Sequence, residues 1–170
     1  ARRLYAEAVA VDPTDSHTYM DWANLERRSG RGRSARAIFT DGVKHVSRRD
    51  AAVLYTAFAQ FEASDKHPDQ ARFLYGRAAE ANPMDTYVWQ TWGCFEEAEG
   101  NVERARQLFE RGVVVTGGQI ATVWQAWGML EQRAGHPDVA RHLFERGTRA
   151  NPTDAATWVA WGRLEATAGN

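Results

Sequence analysis

The 170-residue sequence predicts an all-α fold, a solenoid of helical hairpins wound into a right-handed superhelix, and three columns of residues predict it. The first is an apolar residue followed by Glu, at Leu25-Glu26, Phe61-Glu62, Phe95-Glu96, Leu130-Glu131 and Leu164-Glu165, with the Glu spaced by 36, 34, 35 and 34 residues. The second is a pair of aromatics seven and four positions before each Glu: Tyr19/Trp22, Tyr55/Phe58, Trp89/Trp92, Trp124/Trp127 and Trp158/Trp161. These slots hold all seven tryptophans of the chain. The third is an Ala-Arg pair after each Glu, at Ala35-Arg36, Ala71-Arg72, Ala105-Arg106 and Ala140-Arg141. An aromatic follows three residues on, at Phe39, Tyr75, Phe109 and Phe144, and Ala1-Arg2 with Tyr5 opens the chain in the same phase. Several columns agreeing at one period is the signature of a repeat architecture. One unit of this length cannot bury its apolar face alone, so neighbours must stack.

Each period reads as two helices. Spacings of three and four put Trp89, Trp92, Gly93 and Glu96 on one face of a first helix, and Ala105, Phe109 and Gly112 on one face of a second. In order along the chain, 1–15 is the second helix of a truncated repeat. Whole repeats then occupy 16–50, 51–85, 86–118 and 119–153, and 154–170 is the first helix of another truncated one. Asp15, Asp50, Asp85 and Asp154 stand where first helices need an N-cap. Pro68 and Pro137 suit the first turn of second helices, and Gly30, Gly100, Gly135 and Gly169 suit the turn that ends a first helix. Pro13, Pro83 and Pro152 fall between units. Small residues at Ala23, Ala59, Gly93, Gly128 and Gly162 let the neighbouring helix approach. Beginning in a second helix and ending after a first one, the register reads as a piece of a longer array.

Composition narrows the function. The formal charge of −1 argues against a generic polycation that coats nucleic acid or membrane, and one Cys excludes a disulfide scaffold or Cys-rich zinc site. No apolar run approaches the roughly 20 residues that span a bilayer. The bases are nineteen Arg against two Lys, a bias that GC-rich coding or a need for planar donors would each produce. The five histidines (His17, His45, His67, His136, His142) match no metal spacing, and no nucleophile elbow or phosphate-cradling loop is present. Gly117-Gly118 reads as an inter-unit turn, and Cys94 as a structural or groove-lining thiol. The sequence predicts no catalytic residue, no metal and no cofactor.

The pattern Trp-x2-Trp-Gly-x2-Glu, then Gly, then Ala-Arg-x2-Phe-Glu-Arg-Gly, resembles the HAT (half-a-TPR) family. Trp92, Trp127 and Trp161, with Glu96, Glu131 and Glu165, stand where ordinary TPRs have Leu and Tyr. The resemblance covers essentially the whole chain, with Tyr19 and Phe58 in place of Trp as departures. It implies a HAT/TPR-like solenoid and a role in RNA processing: splicing, polyadenylation, rRNA maturation or organelle RNA stability. Trp124 to Gly135, followed by Ala140 to Phe144, is similar to the chloroplast HAT factors of plants and green algae. That similarity implies a protein that stabilises, processes and promotes translation of photosystem II messages from their 5′ ends. The implied compartment is the chloroplast stroma, with the nucleus as the alternative.

Two recurrent charged columns read as structure. Arg36, Arg72, Arg106 and Arg141 can each offer a fork to Glu26, Glu62, Glu96 and Glu131, tying helices within or between units. Trp22, Trp89, Trp92, Trp124, Trp127, Trp158 and Trp161 read as repeat core, not as a base-stacking platform. Function is sought on the inner face of the first helices. There Asn24, Gln60 and Arg163 form one row, Gln90 and Gln125 a second, and Arg27, Arg28, Gln132 and Arg133 continue the surface. Amides can read base edges in single-stranded RNA, and Arg can pair with phosphate. Residues 27–49 hold eight bases (Arg27, Arg28, Arg31, Arg33, Arg36, Lys44, Arg48, Arg49) against Asp41, which leaves about −8 on the rest of the chain. With Arg36 assigned to structure, the others make a candidate phosphate track. The leading expectation is a sequence-specific single-stranded RNA binder. The alternative is a protein-interaction scaffold whose partners include a second copy of itself.

Overall fold

The computed structural model describes residues 1–168, which form ten α-helices and no strand. They are α1 (Arg2–Val11), α2 (Ser16–Arg28), α3 (Gly32–His45), α4 (Arg48–Ser64), α5 (Pro68–Ala81), α6 (Thr86–Ala98), α7 (Val102–Val115), α8 (Ala121–Arg133), α9 (Pro137–Ala150) and α10 (Ala155–Ala168). The chain divides between Val88 and Trp89 into two compact units. In the first, α2 packs on α3 and α4 on α5, while α2 also lies against α4. In the second, α8 packs on α9 and α10 lies against both. None of the described helices is long and apolar enough to cross a membrane.

Reciprocal knobs lock the hairpins. A Cβ added at Gly93 would lie 2.5 Å from Phe109 Cε1, and one at Gly128 would lie 2.6 Å from Phe144 Cε1. In return, Trp89 Cβ would lie 2.9 Å from a Cβ at Gly112, and Trp124 Cβ 3.2 Å from one at Gly147. Each hairpin therefore trades an aromatic from one helix for a missing side chain on the other, which brings the backbones together. In the first unit a Cβ at Gly42 would lie 2.7 Å from Tyr19 Cγ, Ala23 and Ala59 are fully buried, and Phe39 stacks on Phe58 at 5.0 Å.

Turn chemistry explains where helices stop. After the first helices, Gly30, Gly100 and Gly135 take φ of 71°, 81° and 82°, a left-handed conformation that glycine adopts without strain. The next residue then donates its N–H back to the carbonyl of the column Glu: Arg31 to Glu26, His67 to Glu62, Asn101 to Glu96 and His136 to Glu131, at 2.8–2.9 Å. This is the six-to-one closure of a Schellman turn. The α4–α5 turn uses Lys66 at φ 63° in place of glycine. Gly169 lies outside the described residues. Pro68 and Pro137 begin α5 and α9 as expected.

Asp15 caps α2 through His17 N–H, Asp85 accepts from Tyr87 N–H at 3.0 Å, and Asp154 accepts from Thr157 N–H at 3.2 Å. Asp50 departs from the expectation. The N-cap of α4 is Ser47, whose hydroxyl accepts from Asp50 N–H at 3.1 Å and donates to the Asp50 carboxylate at 2.6 Å. Ser47 therefore caps the helix by accepting from Asp50 N–H, and α4 starts one turn earlier than the column predicts.

Candidate functional site

The Glu and Arg columns meet one repeat out of register from the simple pairing. Arg36 on α3 donates to Glu62 on α4, with Nε–Oε1 at 2.7 Å and Nη2–Oε2 at 3.0 Å. Arg106 on α7 makes the same fork to Glu131 on α8 at 2.7 and 2.9 Å, and Arg141 on α9 donates to Glu165 on α10 at 2.7 Å. Arg2 on α1 likewise reaches Glu26 on α2. The second helix of one repeat is thus tied to the first helix of the next. Helix geometry explains the shift, because the hairpin interior is filled by the aromatic–glycine knobs and leaves no room for a fork.

Around Glu131 the node is complete. Trp127 Nε1 donates to Oε1 at 3.2 Å, and His136 Nδ1 lies 3.0 Å from Oε2. Trp92 and Trp161 donate to Glu96 and Glu165 in the same way, at 3.2 and 3.0 Å. Sequence reading misses this use of the tryptophans, although the spacing of four between Trp and Glu carries the signal. Arg106, His136 and Trp127 hold the Glu131 carboxyl below its ordinary range, Arg106 contributing most. Glu62 and Glu131 push the guanidinium groups of Arg36 and Arg106 upward in turn. Glu62, Asp65 and His67 bring their ligand atoms close enough together for a metal ion. Arg36 fills that space, donating to both carboxylates and lying 3.0 Å from His67 Nδ1.

The tryptophans are less uniformly core than expected. Trp89 and Trp124 are buried; Trp22, Trp92, Trp127 and Trp161 are half-buried, the last three held by their Nε1 hydrogen bonds to the column Glu; and Trp158 is 49% exposed. Trp158 stacks on Trp161 at 5.7 Å and donates Nε1 to the Pro152 carbonyl. Trp22 Nε1 and Tyr19 Oη are buried without a partner.

The basic run splits in space. Arg27 and Arg28 end α2 and Arg33 begins α3, whereas Lys44 ends α3 and Arg48 and Arg49 begin α4. The 14 residues of α3, a rod of about 20 Å, separate the two groups. Arg31 lies 3.9 Å from Glu26, Lys44 lies 3.9 Å from Asp41, and Arg48 donates to the Glu80 carbonyl at 2.8 Å. Among the described residues, Arg27, Arg28, Arg33 and Arg49 have no acidic partner. The candidate phosphate track is therefore divided between the two ends of α3. Arg48 and Arg49 also line a cleft of about 1040 Å³ with Asn82, Met84 and Asp85.

On the first helices, Asn24 and Gln90 are half-buried, and Gln60 is exposed and donates to Tyr87 Oη at 3.1 Å. Arg133 is held by Glu97 in a fork of 2.6 and 2.7 Å, which raises its guanidinium pKa. Gln125, Gln132, Arg133 and Arg163 come together, with Met129 and Val159, in a groove of about 550 Å³ between α8 and α10. Sequence columns alone place Arg163 and Gln125 in separate rows. Cys94 reaches solvent, and desolvation around the sulfur raises its thiol pKa, which disfavours the nucleophilic thiolate.

A model described as tetratricopeptide repeat matches residues 121–164. The chain is 36% identical over 80 residues to the chloroplastic psbB mRNA maturation factor Mbb1 of Chlamydomonas reinhardtii, covering 45% of this chain and 12% of that protein. It is 30% identical over 121 residues to the pre-mRNA-splicing factor clf-1 of Neurospora crassa, covering 66% of this chain and 17% of that one. The chain therefore spans less than a fifth of the length of these curated relatives. A thermophilic TPR protein of Thermus thermophilus superposes on 96% of this chain and 88% of its own, with a TM-score of 0.62 at 15% identity, a likeness of fold.

Proposed function

Because this chain is an array of HAT-type, tetratricopeptide-like repeats, we propose that it binds single-stranded RNA and acts by occupying it, without catalysis. The observation that carries the reading is the set of arginines Arg27, Arg28, Arg33 and Arg49. They are left without carboxylates in a fold that ties Arg36, Arg106 and Arg141 firmly to Glu62, Glu131 and Glu165. Phosphate is the partner such groups suit, and the half-buried amides of the first helices suit base edges. A protein bound this way blocks an exonuclease at the edge of its footprint and keeps the covered strand unpaired for processing and translation. The relatedness to Mbb1 favours an organellar target, a chloroplast photosystem II message, and a stromal location; that to clf-1 favours the nucleus. The test is fluorescence anisotropy with short labelled strands, offered single-stranded and as the matching duplex. Tighter binding of single strands supports the reading, and equal binding of both forms, or none at low salt, overturns it.

A second reading, a scaffold for an RNA-processing complex, is favoured by the negative charge on the chain outside residues 27–49. It predicts that a protein partner or a second copy binds while no strand does.

A further inference from the structure

Resting on the RNA reading, we propose that the groove between α8 and α10 seats one nucleotide, with Gln125 and Gln132 reading the base edge and Arg163 taking the phosphate. Gln125 and Gln132 stand seven residues apart on α8, two turns on one face and about 10 Å along the axis. Both line the groove, and neither side chain makes a hydrogen bond among the described residues. Each amide offers a donor and an acceptor, the pairing a base edge needs. Met129 and Val159, 37% and 52% exposed, supply apolar walls for the flat ring. Arg163 comes from the facing helix and has no acidic partner among the described residues. The volume of about 550 Å³ suits a small ligand, since such sites run to roughly 300–1,000 Å³.

The repeat itself shows why this groove is singled out. The two positions held by Gln125 and Gln132, counted from Glu131, are Met20 and Arg27 on α2, Thr56 and Ala63 on α4, Gln90 and Glu97 on α6, and Val159 and Ala166 on α10. Only α8 has two amides there. On α6 the second amide is replaced by a carboxylate, which repels phosphate and is bound by Arg133. That fork commits Nε and Nη2 of Arg133 to Glu97 and neutralises its charge, so Arg133 forms a wall of the α8–α10 groove and the phosphate falls to Arg163, which has no such pair. None of the groove's lining residues is acidic.

The test is nitrogen-15 NMR of the whole chain titrated with the four ribonucleoside 5′-monophosphates, following the side-chain amides of Gln125 and Gln132. Saturable shifts of both with at least one nucleotide are expected, with weaker binding of the matching nucleoside that lacks phosphate. Arg163→Ala is expected to remove that difference, and Arg163→Lys to restore part of it. Gln132→Ala is expected to weaken the best short strand about fivefold to tenfold, the loss of one hydrogen bond, with unfolding unchanged. Failure of all four nucleotides to move these amides overturns the proposal, as does their movement by an acidic peptide alone. Strands that bind equally to wild type and to Gln125→Ala and Gln132→Ala variants overturn this site while leaving the RNA reading intact. Nucleotides that seat here while no strand binds overturn the RNA reading and leave the site.

Discussion

Replacing Glu131 with Ala tests whether the inter-repeat fork holds the array together. Its side chain is 4% exposed and accepts from Arg106 at 2.7 and 2.9 Å, from Trp127 at 3.2 Å and from His136 at 3.0 Å. Removing one partner of a buried ion pair strands the other charge and costs about 3–5 kcal/mol. Arg106 keeps 28% of its side-chain surface in solvent and has Glu103 at 3.2 Å as a second carboxylate, which softens the loss. We expect Glu131→Ala to cost about 3 kcal/mol, at the low end of that range. Glu131→Gln keeps the volume and an acceptor oxygen, and should cost about 1–2 kcal/mol. The control is Glu145→Ala, which removes an exposed pair with Arg149 and should cost at most about 1 kcal/mol. Urea unfolding, followed in parallel by tryptophan fluorescence and far-ultraviolet circular dichroism, measures all three. Equal losses for Glu131→Ala and Glu145→Ala would refute the reasoning, because the fork would then behave as an exposed surface pair.

Four further outcomes are expected. The Glu131 carboxyl sits below its ordinary value of 4.5, so its stabilisation is fully present above that pH and is lost as pH falls through the lower folded value. Acid titration of unfolding should therefore show a steeper loss for wild type than for Glu131→Gln. Gly128→Ala drives a Cβ to 2.6 Å from Phe144 Cε1 and should destabilise by about 1–3 kcal/mol. Gly76→Ala meets open space within α5 and should stabilise by about 0.5–1 kcal/mol, so the two substitutions shift the melting temperature in opposite directions. Trp127→Phe removes the donor to Glu131 but keeps an aromatic ring, and about 1 kcal/mol should disappear from the same urea curve.

Much of the fold is legible in the sequence because the repeat averages over local noise. Asp15, Asp85 and Asp154, Pro68 and Pro137, and Gly30, Gly100 and Gly135 each recur at one phase, and each does locally what its side chain or backbone allows. Asp50 misleads for the same reason: the column predicts it as the cap, but Ser47 forms a better cap with it. The ion-pair register is not legible. The sequence allows Glu131 to pair with Arg106 or Arg141, and the filling of the α8–α9 interior by Phe144 and Trp124 against Gly128 and Gly147 decides between them. Of the candidate site, the residue types are legible and their grouping is not. Arg33 and Arg49 lie close in sequence but at opposite ends of α3, while Gln125 and Arg163 lie far apart in sequence and share one groove.

If arginines free of carboxylates hold RNA phosphates, the salt dependence of strand binding must show it. Each phosphate neutralised on a single strand contributes about −0.7 to the slope of log affinity against log salt, so contacts by Arg27, Arg28, Arg33 and Arg49 predict about −2.8. Arg33→Ala should reduce the magnitude by about 0.7, and replacing all four with Ala should remove about 2.8 of it, leaving only the contribution of about −0.7 from Arg163. A wild-type slope near zero, or one that the fourfold replacement leaves unchanged, would contradict phosphate binding by these arginines.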